Sequence, residues 1–309
     1  MEEQTKKGTT SFPKIYRVDA PEVDGILTSP VEITEKMDGS QFGFGIIDGE
    51  LVMRSKSAIL NPANPQNLFA GAVQTVLSVK DKLVPGWFYY GESIQSKRHN
   101  KLCYDVVPKG HVCLFGVKKP DFTFIDDWRT LQEIATDLGM DVAPLIYSGI
   151  LNMDELLKLV DETKSAYGAP YMEGVVVKNY ALRGNHSPIM VGKLVKDEFK
   201  EVKRERKPKG TGDTIETKIL SLFRCYATEA RWDKAIQHLR EAGQLKGDNS
   251  DIKYLIQEIQ KDTLEEELVN LKNEVWSLVQ KDFTRELVRG FAEYYMKLPK
   301  SVPMTAEAE

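Results

Sequence analysis

The chain carries a lysine whose surroundings could turn its side-chain amine into a nucleophile. Lys36 stands two residues before Asp38-Gly39, a turn sequence between two predicted strands. A lysine amine attacks only after it loses its proton, and burial or neighbouring positive charge must lower its pKa for this to occur near neutral pH. Alone the tetrapeptide is a weak signal, because Asp-Gly turns are common and a nearby lysine is usually solvated. Its interpretation therefore depends on what the rest of the chain places around it.

Further charged, aromatic and glycine residues lie beside Lys36 or near the ends of later predicted strands. An acidic residue that opens the buried run 175–177 is unexpected without a partner, which favours a functional role for Glu173. The others each have an ordinary structural explanation, as solvated charges or as core aromatics. In chain order the candidates are Glu35, Gly39, Arg54, Glu92, Phe115, Glu173, Lys178, Lys193 and Lys196.

Alternation of apolar residues and turn sequences predict the elements that must position these side chains. Asp48-Gly49 predicts a two-residue hairpin loop. Strands are predicted at about 31–34, 42–47, 51–53, 87–90, 111–117, 173–178 and 189–195. Helical periodicity, ended in two cases by glycine, predicts helices at about 66–83, 127–138 and 154–167.

Composition limits the classes of protein to which the chain could belong. Its 309 residues are 41% hydrophobic and 28% charged, which suits one large or two modest globular domains. A net charge of -4 excludes a protein that is basic throughout, so any nucleic-acid surface must be local. Three cysteines show neither Cys-x-x-Cys spacing nor a histidine at zinc-ligand spacing. With no apolar leader and no membrane-length apolar run, a reduced, cytoplasmic setting is expected.

A basic run at 200–209, ended by Pro208 and Gly210, marks a change in composition. We place a domain boundary there, between a domain of residues 1–208 and one of residues 209–309. Beyond it the pattern is helical, and apolar residues recur at helical spacing in 219–226, 264–278 and 283–295. These stripes predict a small helical core.

One ordered set of motifs resembles the covalent nucleotidyltransferase superfamily, which contains DNA ligases, RNA ligases and messenger-RNA capping enzymes. In chain order the motifs are Lys36-x-Asp38-Gly39, Arg54, Gly91-Glu92-Ser93, the strand of Phe115, residues 173–178 and the late lysines Lys193 and Lys196. The resemblance covers about residues 30 to 200. Within the superfamily the chain is most similar to ATP-dependent RNA ligases of the nick-sealing type, which place helices rather than a β-barrel after the last motif. The implied fold is α+β: a nucleotidyltransferase (ATP-grasp-like ligase) domain of antiparallel sheets flanked by helices, followed by a small all-α C-terminal domain.

The resemblance implies a three-step reaction. The lysine attacks the α-phosphate of ATP, the AMP passes to a 5′-phosphate, and a 3′-hydroxyl then displaces AMP. The implied catalytic residues are Lys36, Glu173, Lys193 and Lys196, with Glu173 as ligand of Mg²⁺ (or Mn²⁺). Lys193 and Lys196 would lower the pKa of Lys36 by like-charge repulsion. The family separates its two lysines by one residue, whereas two intervene here, so either lysine could face the phosphate.

The same resemblance implies which residues bind the nucleotide. Glu92 would accept hydrogen bonds from ribose, Phe115 would stack on adenine, and Lys178 would lie near the α-phosphate. Arg54 would hold a phosphate or orient a carboxylate, and Glu35 would reach adenine or a neighbouring lysine. The full set is Glu35, Lys36, Gly39, Arg54, Glu92, Phe115, Lys178, Lys193 and Lys196.

The implied partners are ATP and RNA, as a nicked RNA duplex or an RNA–DNA hybrid, handled by a monomer that does not bind membranes. The basic run and the C-terminal helices would contact phosphates of the duplex. The protein would act in the cytoplasm of its own cell or, if phage-encoded, of a host. Three alternatives stay open: a DNA ligase, a capping-type guanylyltransferase, and a non-catalytic nucleic-acid-binding protein with the same fold.

Overall fold

A computed structural model describes residues 9, 12–184, 189–196, 199–200 and 214–297 of the chain. The strands are β1 (Tyr16–Arg17), β2 (Val31–Lys36), β3 (Ser40–Ile47), β4 (Glu50–Ser55), β5 (Phe88–Ser93), β6 (Val112–Lys118), β7 (Phe124–Ile125), β8 (Asp141–Val142), β9 (Leu145–Gly149), β10 (Gly174–Asn179) and β11 (Met190–Val195). The helices are α1 (Ala70–Ser78), α2 (Trp128–Asp137), α3 (Met153–Glu162), α4 (Ile215–Arg224), α5 (Glu229–Glu241), α6 (Asp251–Leu287) and α7 (Phe291–Lys297).

The strands form two sheets that the chain enters in turn. The first sheet has the order β1-β11-β10-β2-β9, and the second has the order β4-β3-β5-β6-β7 with β8 beside β6. Pairing is antiparallel except for β1 with β11 and β6 with β8. The chain passes from β2 in the first sheet to β3 in the second through residues 37–39. The predicted turn therefore joins the two sheets and leaves Lys36 at the junction.

Each sheet has one face covered by helices. In the first, Ile33, Val175 and Val177 point to the same side and pack against α3 in one apolar cluster. In the second, alternate residues of β3 such as Phe42 and Phe44 pack against α1 and α2 in another. Because strand side chains alternate, the opposite faces of β2 and β10 are available to line a cleft.

The predicted strands are all present, and two of the three predicted helices differ in length. α1 spans only Ala70–Ser78, with short 3₁₀ turns at Asn67–Phe69 and Lys80–Lys82 taking up the rest of the predicted helix. α3 ends at Glu162 rather than 167. The side chain of Asn152 and that of Glu155 cap its first turn reciprocally, which explains where α3 begins. The prediction of a mixed α+β fold with antiparallel sheets is confirmed.

The C-terminal residues 214–297 are helical, as predicted. Thr214 and Thr228 cap α4 and α5 by accepting hydrogen bonds from backbone N–H groups. The predicted boundary between residues 208 and 209 lies outside the described residues, as does most of the basic run. None of the helices in the described ranges combines the length and apolar character needed to cross a bilayer.

The prediction that the C-terminal apolar stripes form a small core is wrong over the described residues. Leu264 is 52% exposed, Trp276 is 47% exposed and Phe283 is 52% exposed. Buried apolar side chains of this region are confined to Tyr226, Ala235 and Leu239. The 37-residue α6 extends well past the much shorter α4 and α5, so most of its apolar surface has no neighbouring helix to cover it.

Candidate active site

Lys36 lines a large cavity between the two sheets and the C-terminal helices. It is the last residue of β2 and pairs in register with Gly174 of β10. The cavity has a volume of about 1530 Å³, and its walls come from both sheets, the segment 12–22, α5 and α6. This exceeds the roughly 300–1000 Å³ typical of small-molecule sites. The space can therefore accommodate more than one ligand group beside Lys36.

A carboxylate holds the Lys36 ammonium group. The Lys36 Nζ atom lies 2.6 Å from Oε1 of Glu173 and donates a hydrogen bond of 2.7 Å to Oε2. The two residues are 137 positions apart in sequence and meet because β2 and β10 are neighbours. The side chain of Glu173 is only 12% exposed, and burying a charged carboxylate to this extent is costly unless a cation pairs with it. The pair explains the acidic entry to the Val175–Val177 run.

The predicted lowering of the pKa of Lys36 is wrong for this form of the protein. Burial alone would lower that pKa, but the negative charges of Glu173, Glu92 and Asp38 together raise it above its ordinary value. The lysine is therefore an ammonium at neutral pH and is not yet a nucleophile. Carboxylates, rather than cations, dominate its surroundings.

Burial and the charged groups near Lys36 also shift the pKa of Glu92. Burial raises its pKa to about 8, and the nearby charges of Glu173, Glu241 and Asp38 add to the effect, while Lys36 opposes it. Glu92 is paired in register with Gln41, just after the turn that follows the lysine. Glu92 therefore gains a proton more readily than an exposed glutamate, and in that form it offers a hydrogen-bond donor as well as an acceptor.

Hydrogen bonds and close backbone packing hold the turn after Lys36 in place. Asp38 accepts hydrogen bonds from the backbone N–H groups of Lys101 (2.8 Å) and Leu102 (2.6 Å), and its own N–H donates to the Tyr104 hydroxyl at 2.8 Å. A Cβ atom at Gly39 would lie 2.5 Å from the backbone oxygen of Ser93, so only glycine fits. The close approach is to β5, which brings Glu92 beside the lysine.

Lys193 and Lys196 have different positions. Lys193 pairs in register with Val176, whose neighbours Val175 and Val177 face the core, so Lys193 lies on the cavity side. Its charge acts on Glu173. Lys196 is absent from the lining of the cavity, and its ammonium lies 5.3 Å from the centre of the Tyr171 ring. Of the two predicted lysines, the structure brings only Lys193 to the site.

The contacts of Arg54 also differ from those predicted. The Arg54 guanidinium donates to the backbone oxygens of Thr9, Ser55 and Lys56, and the residue does not line the cavity. Burial lowers its pKa. These bonds give the arginine a structural role in holding the chain after β4.

Lys178 and Glu35 are engaged by other parts of the protein. The Lys178 ammonium donates to the backbone oxygens of Phe115 (3.2 Å) and Asp126 (2.6 Å), and burial lowers its pKa. Oε2 of Glu35 accepts from the N–H of Ala166 at 2.9 Å, and burial raises the pKa of this glutamate. Both residues border the cavity, but their charged groups are directed at the protein.

Phe115 lies in an aromatic cluster that borders the cavity. Phe12, from the N-terminal segment, packs edge-on against it with ring centres 5.1 Å apart, and also against Tyr90 and Phe124. Phe115 and Val176 both line the cavity. An apolar, flat-sided space beside Phe115 is the kind of surface on which a planar base stacks.

The C-terminal helices supply residues that inspection of the sequence missed. Gln237 of α5 donates a 2.8 Å hydrogen bond to the backbone oxygen of Gly39, and Glu241 is hydrogen-bonded to Ser40. Glu266 of α6 pairs with Lys234 and lies near Lys56. No local pattern could have indicated contacts across some 200 residues, because amphipathic spacing on α5 explains these side chains equally well.

Metal binding would have to use few protein ligands. No group of three or more His, Cys, Asp or Glu side chains with metal-ligand geometry occurs in the described part of the chain. Mg²⁺ commonly binds through one or two carboxylates together with water and substrate phosphates. Glu173, with Glu92 and Asp38 nearby, fits that mode of binding.

Comparison with protein families agrees with this geometry. The family model described as RNA ligase matches residues 29–195, which include β2 to β11 but not β1. The chain belongs to the RNA ligase family. The matched region contains Lys36, Glu173 and Lys193, while α4–α7 lie beyond it. No curated protein matches this RNA ligase family member.

Solved structures that match part of the chain include RNA ligase from Naegleria gruberi. A variant with AMP and Mn is 17% identical with a TM-score of 0.47, and another with ATP and Mn is 17% identical with a TM-score of 0.48. The same ligase with PPi is 15% identical with a TM-score of 0.47. Each alignment covers 62% of this chain but only 57% to 59% of the other, so the chain matches little more than half of those proteins.

Proposed function

We propose that this protein is an ATP-dependent RNA ligase that uses Lys36 as its nucleophile. The observation that carries the proposal is the Lys36–Glu173 pair, with Nζ 2.6 Å from a carboxylate oxygen, inside a cavity of an RNA ligase family member. We assign the nucleotidyltransferase domain to residues 1–208 and a nucleic-acid-engaging domain to residues 209–309. The aromatic surface at Phe115 would receive adenine, and Glu92 would bond to ribose hydroxyls.

The first step requires Lys36 to lose the proton that its carboxylate neighbours now stabilise. The free amine then forms a bond to the α-phosphorus of ATP, and the bond from that phosphorus to pyrophosphate breaks. Lys193, on the cavity side of β11, would hold phosphate oxygens and stabilise the charge that develops on them. Glu173 would keep the amine aimed at the phosphorus.

Mg²⁺ or Mn²⁺ would be held by Glu173 and substrate phosphates, where it would neutralise charge on both. Removing negative charge from Glu173 also removes what stabilises the Lys36 ammonium. Glu173 can therefore keep the lysine protonated without ligand and allow its deprotonation in the loaded site. The remaining steps transfer AMP from Lys36 to a 5′-phosphate, which breaks the phosphorus–nitrogen bond, and then join the 3′-hydroxyl to that phosphate with release of AMP.

Intact-mass analysis tests the first step. The protein freed of any bound AMP is incubated with ATP and Mg²⁺, and we expect one AMP to be added. The Lys36→Met variant should gain none, whereas Lys158→Met, an exposed change on α3 that serves as the matched control, should react like the wild type. Absence of an adduct on the wild type, or an adduct that survives in Lys36→Met, would refute the proposal. GTP in place of ATP tests the capping alternative.

Substrate choice requires a second experiment. We propose a nick in duplex RNA or in an RNA–DNA hybrid, because the cavity is bounded by sheets on one side and helices on the other. Matched nicked duplexes that differ only in the sugar at the 3′-hydroxyl side are compared with a nicked DNA duplex and a single strand. Faster sealing of the ribose nick is expected. Equal or faster sealing of the DNA nick would favour the DNA ligase alternative.

A further inference from the structure

Lysines from three separate parts of the protein converge on Glu266 of α6, two of them on its carboxylate. Nζ of Lys234, on α5, lies 2.6 Å from Oε2 of Glu266, and Nζ of Lys56, in the loop after β4, lies 3.9 Å from Oε1. Nζ of Lys14, in the N-terminal segment, donates to the Glu266 backbone oxygen at 3.1 Å. Two of these three lysines belong to the sheet region, so Glu266 joins the helices to it.

The carboxylate of Glu266 is held firmly in its ionised form. Although burial raises its pKa, the positive charges of Lys234, Lys56 and Lys193 lower it to about 2. An oxyanion that three lysines stabilise to this degree marks a location suited to an anion of any kind. A phosphodiester group is such an anion and is larger than a carboxylate only by its two extra oxygens.

This position lies on the route to Lys36. Gln237 and Glu241 of α5 already contact Gly39 and Ser40, so the helices cover the turn next to the lysine. The side chain of Lys56 is 45% exposed, whereas those of Lys36 and Glu266 are 29% and 27% exposed. A strand that enters from solvent therefore reaches Lys56 first. A nucleotide bound beside Lys36 would occupy the deeper part, whereas a strand that enters from outside would cross the mouth.

We propose that Lys56 and Lys234, with Lys14 alongside, form a phosphate-binding position for the polynucleotide backbone, which the Glu266 carboxylate occupies in the substrate-free protein and yields to the bound strand. The inference rests on the proposed function, since it assumes a polynucleotide substrate. When a phosphodiester replaces the Glu266 carboxylate, the lysines keep an anionic partner of the same charge. Binding of the strand then separates α6 from the loop after β4 and opens the cavity.

Binding of a fluorescent nicked RNA duplex, measured by anisotropy without ATP, tests the proposal. Glu266→Gln removes the competing charge and should tighten binding by up to about fivefold, the range of a partly exposed ion pair. Glu286→Gln is the matched control, because it makes the same charge change on α6 where the described ion-pair partners, Arg285 and Arg289, are exposed neighbours in sequence. Its affinity should equal that of the wild type.

A second variant acts from the sheet side and leaves α6 unchanged. Lys56→Ala should weaken binding and reduce the slope of log affinity against log salt by about one charge. In the Lys56→Ala background the gain from Glu266→Gln should shrink, because one of the lysines that the carboxylate masks is gone. Equal gains in both backgrounds would refute the proposal.

Two further outcomes would overturn it. Equal RNA affinity for Glu266→Gln and Glu286→Gln would show that Glu266 does not compete with the strand. A gain in ATP affinity without a gain in RNA affinity would assign the position to nucleotide phosphates instead. Neither measurement uses ligation or AMP transfer, so a failure here is distinguishable from a failure of the lysyl-AMP test.

Discussion

The two sheets and the C-terminal helices are stabilised in different ways. Buried apolar side chains such as Ile33, Phe42 and Val177 fill clusters on one face of each sheet. The helices bury few apolar groups, yet they bury the charged side chains of Arg231 and Asp262, which are 1% and 7% exposed. The sheets are thus held mainly by apolar packing, whereas contacts between charged side chains have a larger part in holding the helices.

This difference assigns separate tasks to the two regions. The chemistry needs Lys36 and Glu173 at a fixed distance, which packed strands provide. Access to the cavity needs a boundary that can move, and a boundary built from charged and polar contacts can exchange those contacts for a ligand's. In proteins, the elements that move on ligand binding usually belong to regions of low local stability, apart from the stable core. The predictions below test whether the two regions are as distinct as the contacts imply.

The largest effect is expected at the centre of the sheet region. Glu173→Gln removes the charge that orients the Lys36 amine, and we expect the rate of lysyl-AMP formation to fall by roughly 10²–10³-fold, as for loss of a preorganised electrostatic group. The same change removes the main charge that raises the pKa of Lys36, so the pH at which the residual rate reaches half its maximum should decrease. Single-turnover adenylylation across pH measures both. Glu162→Gln, an exposed change on α3, is the control. A faster rate at neutral pH would mean that Glu173 only suppresses the lysine.

A smaller effect is expected from a change confined to the helices. Arg231→Met leaves Asp262, now 3.3 Å from the guanidinium, without its buried partner. Breaking a buried pair costs about 3–5 kcal/mol, and we expect the lower end because Lys234 also lies 3.1 Å from Asp262. Hydrogen exchange should accelerate in α5 and α6 and stay unchanged in β2 and β10. Arg285→Met on exposed α6 surface is the control. Equal acceleration in the sheets would show that the two regions unfold as one unit.

A third prediction concerns stability against pH. Folding raises the pKa of Glu92 from its ordinary 4.5 to about 8, so the folded protein binds more protons than the unfolded chain between these values. The stability contributed by this residue therefore falls as pH rises through that window. Glu92→Gln cannot ionise and should be more stable than the wild type by roughly 1–3 kcal/mol at pH 9, with little difference at pH 4.

Urea denaturation of the two proteins across pH measures this difference. Glu133→Gln, an exposed change on α2, should show no such trend. A difference that is constant with pH would mean that Glu92 does not titrate in this window. In that case the negative charges around Lys36 shift the pKa of Glu92 less than their positions imply.

The strands, and the meeting of Lys36 with Glu173, were predictable from sequence. Apolar alternation and turn residues identify β2 and β10, and the order of motifs pairs residues that are 137 positions apart. The charge state of the lysine was not predictable. It depends on how many carboxylates the fold gathers around one atom, because Asp38 of the turn after β2 and Glu92 of β5 add their charges to that of Glu173.

The same limit applies to the surroundings of Arg54 and Lys196. An arginine after a hairpin has the chemistry to bind phosphate, but three backbone oxygens use its donors once the chain has folded. Alternation predicts that residues on one strand face opposite sides, yet only the pairing of Lys193 with Val176 establishes which side is the cavity. The contact of Gln237 with Gly39 depends on how α5 packs against the sheets, which amphipathic spacing alone cannot give.

The smallest effect is expected at that contact between the two regions. The Gly39 backbone oxygen accepts from both Gln237 (2.8 Å) and Asn100 (2.7 Å), so Gln237→Ala leaves it one partner and should cost only about 0.5–1.5 kcal/mol. Hydrogen exchange at residues 39–41 should nevertheless accelerate, and Gln257→Ala on the exposed face of α6 should not change it. Because Asn100 still holds the turn, the rate of lysyl-AMP formation should be unaffected. A large loss of that rate would mean that α5 helps to position Lys36, and the division of tasks between sheets and helices would then be wrong.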